Sequence, residues 1–316
     1  MNKKKNKLVE EIELDFNGVT VNRTIKFNFK NNISKSQLYI SKKTGTLFHS
    51  PSNNSIESLD IWSKKIYSKK IDTKKIKYTS NNPIMRSRHY YSALFLNKYL
   101  KNKNIEFCDY GTGEGNLALE FKRINKKINF NFTEHSPHLF RKTKKKILDI
   151  NKKKFLSFNG SIEDSKENHK FKNFDACSLL WTLCNCVKPI DVLNTIHASL
   201  KKNGLLLISE SSRIMVPYKK PIYNFFVSGH HAKNTHPWFF SYNSLSNLLE
   251  ICGFSIIATN RYYDENDLVV IAQKKDKKKY VPKIKIDKVE NIKKFLTDWE
   301  KNSFFLKRFI KETTLK

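Results

Sequence analysis

Seven residues, Asp109-Tyr110-Gly111-Thr112-Gly113-Glu114-Gly115, constrain this chain more than any other stretch. The run Ile105-Glu106-Phe107-Cys108-Asp109 enters them as a strand, and Asn116 to Arg123 leaves as a helix carrying Leu117, Leu119 and Phe121. Three glycines between strand and helix permit positive φ and let a ligand approach bare main chain. Their spacing is G-x-G-x-G after an acid, not the G-x-G-x-x-G of a dinucleotide fingerprint. Glu134 follows Gly113 by 21 residues, at the end of a second strand read over 128–133. A carboxylate there can accept hydrogen bonds from both hydroxyls of a ribose. The alternative is a tight turn followed by a surface Glu; the agreement of turn, strand and carboxylate favours an adenosine-type ligand.

The chain downstream keeps alternating strand and helix, the signature of a parallel α/β sheet. Pro137 can open a helix, Phe155 to Phe158 is a short strand, and Phe174 to Leu180 is continuously apolar, as a central strand buried on both faces should be. Pro189 opens a helix through Leu193, Ile196 and Leu200 that Asn203-Gly204 is expected to end before a strand at 205–208. A helix from Ser244 closes at Gly253, and Phe254 to Ala258 can pair with Leu268 to Ala272 as an antiparallel hairpin. The expected fold is α/β: a doubly wound, mostly parallel seven-stranded sheet with an antiparallel C-terminal hairpin strand. Three parts are expected. Residues 1–80 form a small β-rich segment, with alternation at 12–16 and 24–29. Residues 81–275 form the main domain. Residues 276–316 form a charged linker and an amphipathic helix bearing Ile292, Phe295, Leu296, Trp299, Leu306 and Phe309. That apolar face docks on the domain or forms a homodimer.

Charge has to be read by residue type. The formal net charge is +31, which taken alone suggests a polyanion partner. Only eight of the 60 basic residues are Arg, the residue favoured for gripping phosphate, and 52 are Lys. Overuse of Lys, Asn and Ile fits compositional drift in an AT-rich genome, so nucleic acid stays open without being favoured. Five scattered cysteines make no disulfide framework. The longest apolar run, 176–187, is too short to span a bilayer and is interrupted by Thr182 and Asn185. Lys3, Lys4 and Lys5 are followed by Glu10, Glu11 and Glu13 where a leader would be apolar. A soluble, cytoplasmic protein without membrane insertion is expected.

With these motifs the chain resembles the Rossmann-like S-adenosylmethionine-dependent methyltransferases over roughly residues 85–273. Phe107 to Gly115 matches their first signature, and Phe132-Thr133-Glu134-His135-Ser136-Pro137 their second. The segment from Phe174-Asp175-Ala176 through Pro189 to Gly204-Leu205-Leu206-Leu207-Ile208 is similar to their fourth strand, helix and fifth strand, and the hairpin to their antiparallel seventh strand. The resemblance implies S-adenosyl-L-methionine as cofactor, bound by Asp109, Gly111, Thr112, Gly113, Gly115, Glu134, Ser161, Ile162 and Leu180. Ser161 stands where the family usually has an acid that meets the adenine; a hydroxyl can still hydrogen-bond an amino group.

The acceptor is less constrained. The stretch from Ser211 to Asn243 is the expected substrate cover, with His230, His231 and His236 beside Trp238, Phe239, Phe240 and Tyr242. Histidine suits general-base work near neutral pH, and aromatic rings suit a sugar face. His230, His231, His236 and Tyr242 are therefore the catalytic candidates; the alternative is an aromatic plug with hydrogen-bonded histidines. No acid or thiol stands near enough in sequence to complete a metal site. With Ser241 to Leu245 and Ile251 to Phe254, this stretch resembles the branch found in saccharide and cell-surface glycan pathways. Many of that branch carry a zinc-binding Cys-x-x-Cys segment; Leu38 to Phe48 has its contour, with Ser41 and Thr44 in place of cysteines, so no metal is expected. The resemblance implies methylation of a small molecule, a sugar or nucleotide-sugar precursor in polysaccharide biosynthesis. Two alternatives stay open: an RNA methyltransferase using the basic surface, and a non-catalytic methyltransferase-fold interaction protein. Against the first, Trp181-Thr182-Leu183-Cys184 replaces the Asn/Asp-Pro-Pro-aromatic motif of base-amino methyltransferases. Arg86 and Arg88, before Tyr90 and Tyr91, either cap the cofactor, meet a phosphorylated substrate or simply start a helix.

Overall fold

The computed structural model describes residues 20–27, 36–41, 44–50, 83–101, 104–151, 153–168, 170–186, 188–210, 214–215, 238–260, 267–288, 290–292, 294–295 and 298. In chain order the elements are β1 (Thr20–Phe27), β2 (Ser36–Ser41), β3 (Leu47–Ser50), α1 (Pro83–Asn97), β4 (Ile105–Tyr110), α2 (Asn116–Ile124), β5 (Ile128–Glu134), α3 (Pro137–Ile150) and β6 (Ser157–Asn159). They continue with β7 (Phe174–Leu180), α4 (Pro189–Ser199), β8 (Leu200–Glu210), β9 (Trp238–Phe239), α5 (Tyr242–Ile251), β10 (Phe254–Thr259) and β11 (Leu268–Lys274). Short 3-10 turns follow β6 and β7, at Glu163–Glu167 and Leu183–Asn185.

The large sheet has the strand order β10-β11-β8-β7-β4-β5-β6. β4, β5, β6, β7 and β8 run parallel, and β11 is antiparallel to both its neighbours. This is the doubly wound seven-stranded arrangement expected from the sequence. Helices cover both faces, so side chains of both parities along the central strands are buried, most of them apolar, with Asp109, Asn131, Thr133 and Ser178 as buried polar exceptions. On one face Cys177, Leu206 and Ile208 pack with Leu193 and Ile196 of α4 and Leu248 of α5. On the other, Phe107, Phe130 and Leu207 pack with Ala93 and Leu96 of α1, Phe121 of α2 and Ile147 of α3. The chain reverses its build-up direction between β4 and β7, so a crevice opens at their carboxyl ends.

Two boundaries differ from expectation. α4 ends at Ser199, and Leu200 already pairs with Phe174. The ladder then slips, setting Leu205 opposite Ala176, and the extra residues loop out with Asn203 at φ 60°. Asn203-Gly204 thus makes a bulge inside the strand; it does not cap the helix. Residues 280–288, expected as a charged linker, lie as a strap along α5. Glu250 accepts from Lys283 N–H (2.9 Å) and Tyr280 Oη, Asn247 exchanges hydrogen bonds with Lys285, and Asp287 accepts from Asn243 (2.5 Å) and Ser241. Past the strap Ile292 is fully buried.

A small sheet runs β1-β2-β3-β9, all antiparallel neighbours. Its last strand comes from just before α5, so the N-terminal segment is stitched to the far end of the large domain. The turn between β2 and β3 is buried at Ser41, Thr44 and Thr46. Thr44 Oγ1 donates to Thr46 Oγ1 (2.9 Å), and Asn247 donates to Thr44 O (3.0 Å). Hydroxyls make this turn's hydrogen bonds at the positions compared above with cysteines.

Candidate functional site: the glycine turn and the groove beside it

The turn is held from below by Asp109, the penultimate residue of β4. Its carboxylate accepts from Thr112 Oγ1 (2.8 Å) and Ser178 Oγ (2.5 Å), and burial pushes its pKa up to about 6 despite those two donors. Thr133 of β5 holds the next two residues: Gly111 and Thr112 N–H both reach its carbonyl at 3.1 Å. Glu134, only 7% exposed, accepts from Gly113 N–H at Oε2 (2.7 Å) and from Ser136 N–H at Oε1 (2.8 Å). Burial raises its pKa to about 7, opposed by those amide donors. Glu134 therefore lies at the turn, as its spacing in the sequence predicts.

All three glycines have positive φ, at 68°, 57° and 70°, but they do different work. A Cβ on Gly111 would stand 2.7 Å from Thr182, and one on Gly115 would stand 2.9 Å from Thr143. Those two glycines are needed for packing. A Cβ on Gly113 would meet nothing within 4 Å, so the turn is open to solvent at that one residue, above the Glu134 carboxylate.

The upper side of the turn is braced by α3, which the sequence reading missed. Thr143 Oγ1 donates to Gly113 O (2.8 Å), Lys146 Nζ donates to Glu114 O (2.6 Å) and to Asn116 (3.0 Å), and Lys142 pairs with Glu114 at 2.7 Å. Burial lowers the Lys146 pKa to about 8. A signal was there: Thr143 and Lys146 share the inward stripe of α3 with Leu139 and Ile147, where apolar residues are expected.

Ser161 and Ile162 follow β6 and adjoin the same site, because Asn159 Nδ2 (2.8 Å) and Gly160 N–H (3.3 Å) both donate to Glu134 O. Ser161 Oγ accepts from Asp164 N–H at 3.1 Å, which leaves its hydroxyl hydrogen and one lone pair for a ligand. Leu180 closes β7, and Trp181 after it adopts φ 51° with His89 of α1 edge-on at 5.0 Å. Arg86 pairs with Glu120 (3.1 Å) and Arg88 with Asp267 (2.9 Å), so both arginines brace α1 against its neighbours. His230, His231 and His236 lie outside the described residues. Tyr242 begins α5, beside β10, and is 43% exposed. β10 is four strands from β4 in the sheet, so Tyr242 is not brought to the glycine turn.

Tyr242 instead borders a groove of about 820 Å³ between α1 and the β10–β11 hairpin. Ser87, Tyr91, Phe95 and Tyr99 line it from the helix side, and Ile256, Ala258 and Val269 from the sheet side. Its upper end carries Arg88, Asp267, Thr259 and Asn260. Among the described residues no group of three His, Cys, Asp or Glu side chains stands close enough to hold a metal ion.

An adenosyl group fits what the glycine turn offers. Each Glu134 oxygen takes one amide donor and keeps acceptor capacity for a ribose hydroxyl, and the side-chain-free face of Gly113 leaves room for the sugar. A Rossmann-like sheet with this turn at its switch point defines an S-adenosyl-binding α/β protein. A family model described as a methyltransferase domain matches residues 84–259, more than half of the chain, and the chain belongs to that family. No curated protein matches the sequence significantly. Among solved structures the chain is similar to a proposed O-methyltransferase from Nostoc punctiforme, with 13% identity and a TM-score of 0.49 over 61% of this chain and 57% of that one, less than two-thirds of its length. It is also similar to magnesium protoporphyrin IX methyltransferase from Synechocystis, solved with bound S-adenosylmethionine, with 10% identity and a TM-score of 0.47 over 69% and 96%.

Proposed function

We propose that the enzyme methylates a saccharide, a sugar or nucleotide-sugar precursor of a glycan, in the cytoplasm. The observation that carries this reading is the upper end of the groove, where half-exposed Tyr91 and Tyr242 stand with Asn260, Thr259 and Asp267. Aromatic faces ringed by amide, hydroxyl and carboxylate groups suit the alternating apolar faces and hydroxyl edges of a sugar. A base-reading function is less well served. Three of the eight arginines, Arg86, Arg88 and Arg123, are spent on internal ion pairs. Five buried free thiols suit a reducing compartment.

In this reading the cofactor supplies a methyl group on a sulfonium, and the chain supplies position. Glu134 would accept both ribose hydroxyls, Gly113 would face the sugar, and Asp109 with Thr112 would keep Gly111 to Gly115 in place beneath it. Ser161 and Ile162 would meet the adenine, and Leu180 would close the crevice on the β7 side. His230, His231, His236 and Tyr242 remain the candidates for taking the acceptor's proton.

Competitive turnover against a panel of nucleotide-sugars and free sugars tests the acceptor class. Release of S-adenosylhomocysteine above the hydrolysis background with one or more saccharides is expected. Release only with tRNA or rRNA fragments, at an affinity falling steeply with salt, would replace the saccharide with nucleic acid.

A further inference from the structure

The two edges of the large sheet carry opposite charge. At the amino edge, away from the crevice, each of the five parallel strands is entered past two exposed lysines. Lys98 and Lys101 precede β4, Lys126 and Lys127 precede β5, and Lys153 and Lys154 precede β6. Lys170 and Lys172 precede β7, and Lys201 and Lys202 stand in the bulge where β8 begins. Lys201 pairs with Asp175 at 2.8 Å; the other nine side chains make no hydrogen bond or ion pair among the described residues. These entering segments, 98–104, 125–127, 151–156, 168–173 and 200–203, contain no acid. The segments that leave β4, β5, β6 and β7 toward the crevice, 111–115, 135–136, 160–167 and 181–188, read the other way. They hold Glu114, Glu163, Asp164 and Glu167 against Lys166 and Lys188. Both sets belong to one chain, so compositional drift toward lysine cannot produce the contrast.

Register brings the lysine pairs level. Ile105 opens β4 opposite Ile128 of β5, and Phe174 opens β7 opposite Leu200 of β8. Phe107 opposite Ala176 sets the two halves at one height. β6 begins further along, but Lys154 O accepts from Asn129 Nδ2 at 3.4 Å, which returns its lysines to the start of β5. Beyond β8, β11 runs the other way and ends at this edge, followed by exposed Lys277, Lys278 and Lys279. Six strands spaced by about 4.8 Å make a line roughly 24 Å long. Two exposed apolar side chains flank it, Leu148 (60%) in the last turn of α3 and Val281 (79%) just past the final lysines.

We propose that this lysine edge docks the enzyme on an anionic lipid bilayer, with the crevice at the opposite edge left facing water. Lysines are point charges on flexible stems, suited to headgroup anions that can move to meet them, and each adds to the attraction of a negative surface. Apolar side chains that enter the headgroup region strengthen such a contact. The contact needs no spanning segment; among the described residues no helix is long and apolar enough to cross a bilayer. A nucleic acid carrying the acceptor fits less well, because it would be drawn away from the crevice. The arginine nearest in sequence to the line, Arg123, is also engaged by Glu120 at 3.0 Å. Docking in this way does not depend on which acceptor is methylated.

The test is sedimentation of the full chain with vesicles of phosphatidylcholine and phosphatidylglycerol, with pure phosphatidylcholine vesicles as the control. Binding at least tenfold tighter to the anionic vesicles is expected, weakening as salt screens the lysines. Two variants of equal net charge then locate the surface. Lys126→Gln, Lys127→Gln, Lys153→Gln and Lys154→Gln together should weaken vesicle binding at least tenfold. Lys144→Gln, Lys145→Gln, Lys285→Gln and Lys288→Gln together, at exposed sites off this edge, should weaken it less than twofold. S-adenosylhomocysteine affinity should be unchanged in both, which shows that each is folded. Equal losses in the two variants, or none in either, would assign vesicle binding to net charge and overturn the docking edge. No preference for anionic vesicles would overturn it too; an RNA oligonucleotide bound instead, and lost only in the edge variant, would give the surface to nucleic acid.

Discussion

The glycine turn and the groove beside α1 are built in opposite ways. The turn is made of main chain. Its ligand-facing wall is three glycines and the amides of Gly113 and Ser136, with the Glu134 carboxylate supplied by the adjacent strand. The groove is made of side chains from α1, β10 and β11, with Ser87 and Val269 standing 182 residues apart in the sequence. A ligand common to many enzymes can be held by backbone, which every sequence has; an acceptor peculiar to one enzyme has to be held by side chains. The first hollow should therefore break through backbone changes, and the second should tolerate them.

The largest effect should come from Gly111→Ala. A left-handed conformation costs a non-glycine residue about 1–2 kcal/mol, and a methyl 2.7 Å from Thr182 adds an overpacking cost of about 1–3 kcal/mol. A loss of about 2–5 kcal/mol in chemical denaturation is expected. Gly113→Ala shares the strain but meets no neighbour, so it should cost only that strain, about 1–2 kcal/mol, while weakening S-adenosylhomocysteine at least tenfold. Equal stability losses in the two variants would erase the division of labour between packing and ligand-facing glycines.

Next should come Glu134→Ala. Hydrogen bonds to a charged group are worth about 1.5–3 kcal/mol, so losing the carboxylate should weaken S-adenosylhomocysteine by about 10- to 150-fold in calorimetry. Unchanged affinity would remove Glu134 from the cofactor site.

This contrast also explains what could be read from the sequence. The strand, turn, helix and Glu134 are local or one strand apart, and each depends on a residue type that physics demands there, so spacing was enough to find them. The central strands were legible because burial on both faces leaves mostly apolar residues. The brace from Thr143 and Lys146 left a trace, two polar residues on an inward stripe. The groove left almost none: Tyr91, Phe95 and Tyr99 read as an ordinary helix face until topology brings Ile256 and Val269 opposite. The bulge at Asn203-Gly204 was misread because a left-handed Asn before Gly ends a helix as readily as it kinks a strand. Residues 280–288 were misread because their partners, Asn247 and Glu250, sit on a distant helix and compensate the Lys-rich composition through backbone donors.

A pH series probes the glycine turn more gently. Glu134 and Asp109 have folded pKa values raised to about 7 and about 6, above the ordinary carboxylate range, so the folded state keeps protons that the unfolded chain has lost. Stability therefore falls as pH rises from about 4 through 7. Hydroxyl donors favour the ionised form of Glu134, so ligand binding near pH 6.5 should release protons and the affinity should tighten between pH 6 and 8. Buffers of different ionisation enthalpy should give different binding heats for S-adenosylhomocysteine, and the difference should vanish in Glu134→Gln.

The smallest effect should come from Ser209→Ala. Among the described residues its hydroxyl is fully buried and has no hydrogen-bond partner, so its removal relieves a desolvation cost of about 1 kcal/mol. The variant should melt at the same or a slightly higher temperature than the parent chain in differential scanning calorimetry. A melting temperature lowered by several degrees would show that the hydroxyl has a partner in the folded chain and belongs to the hydrogen-bonded core.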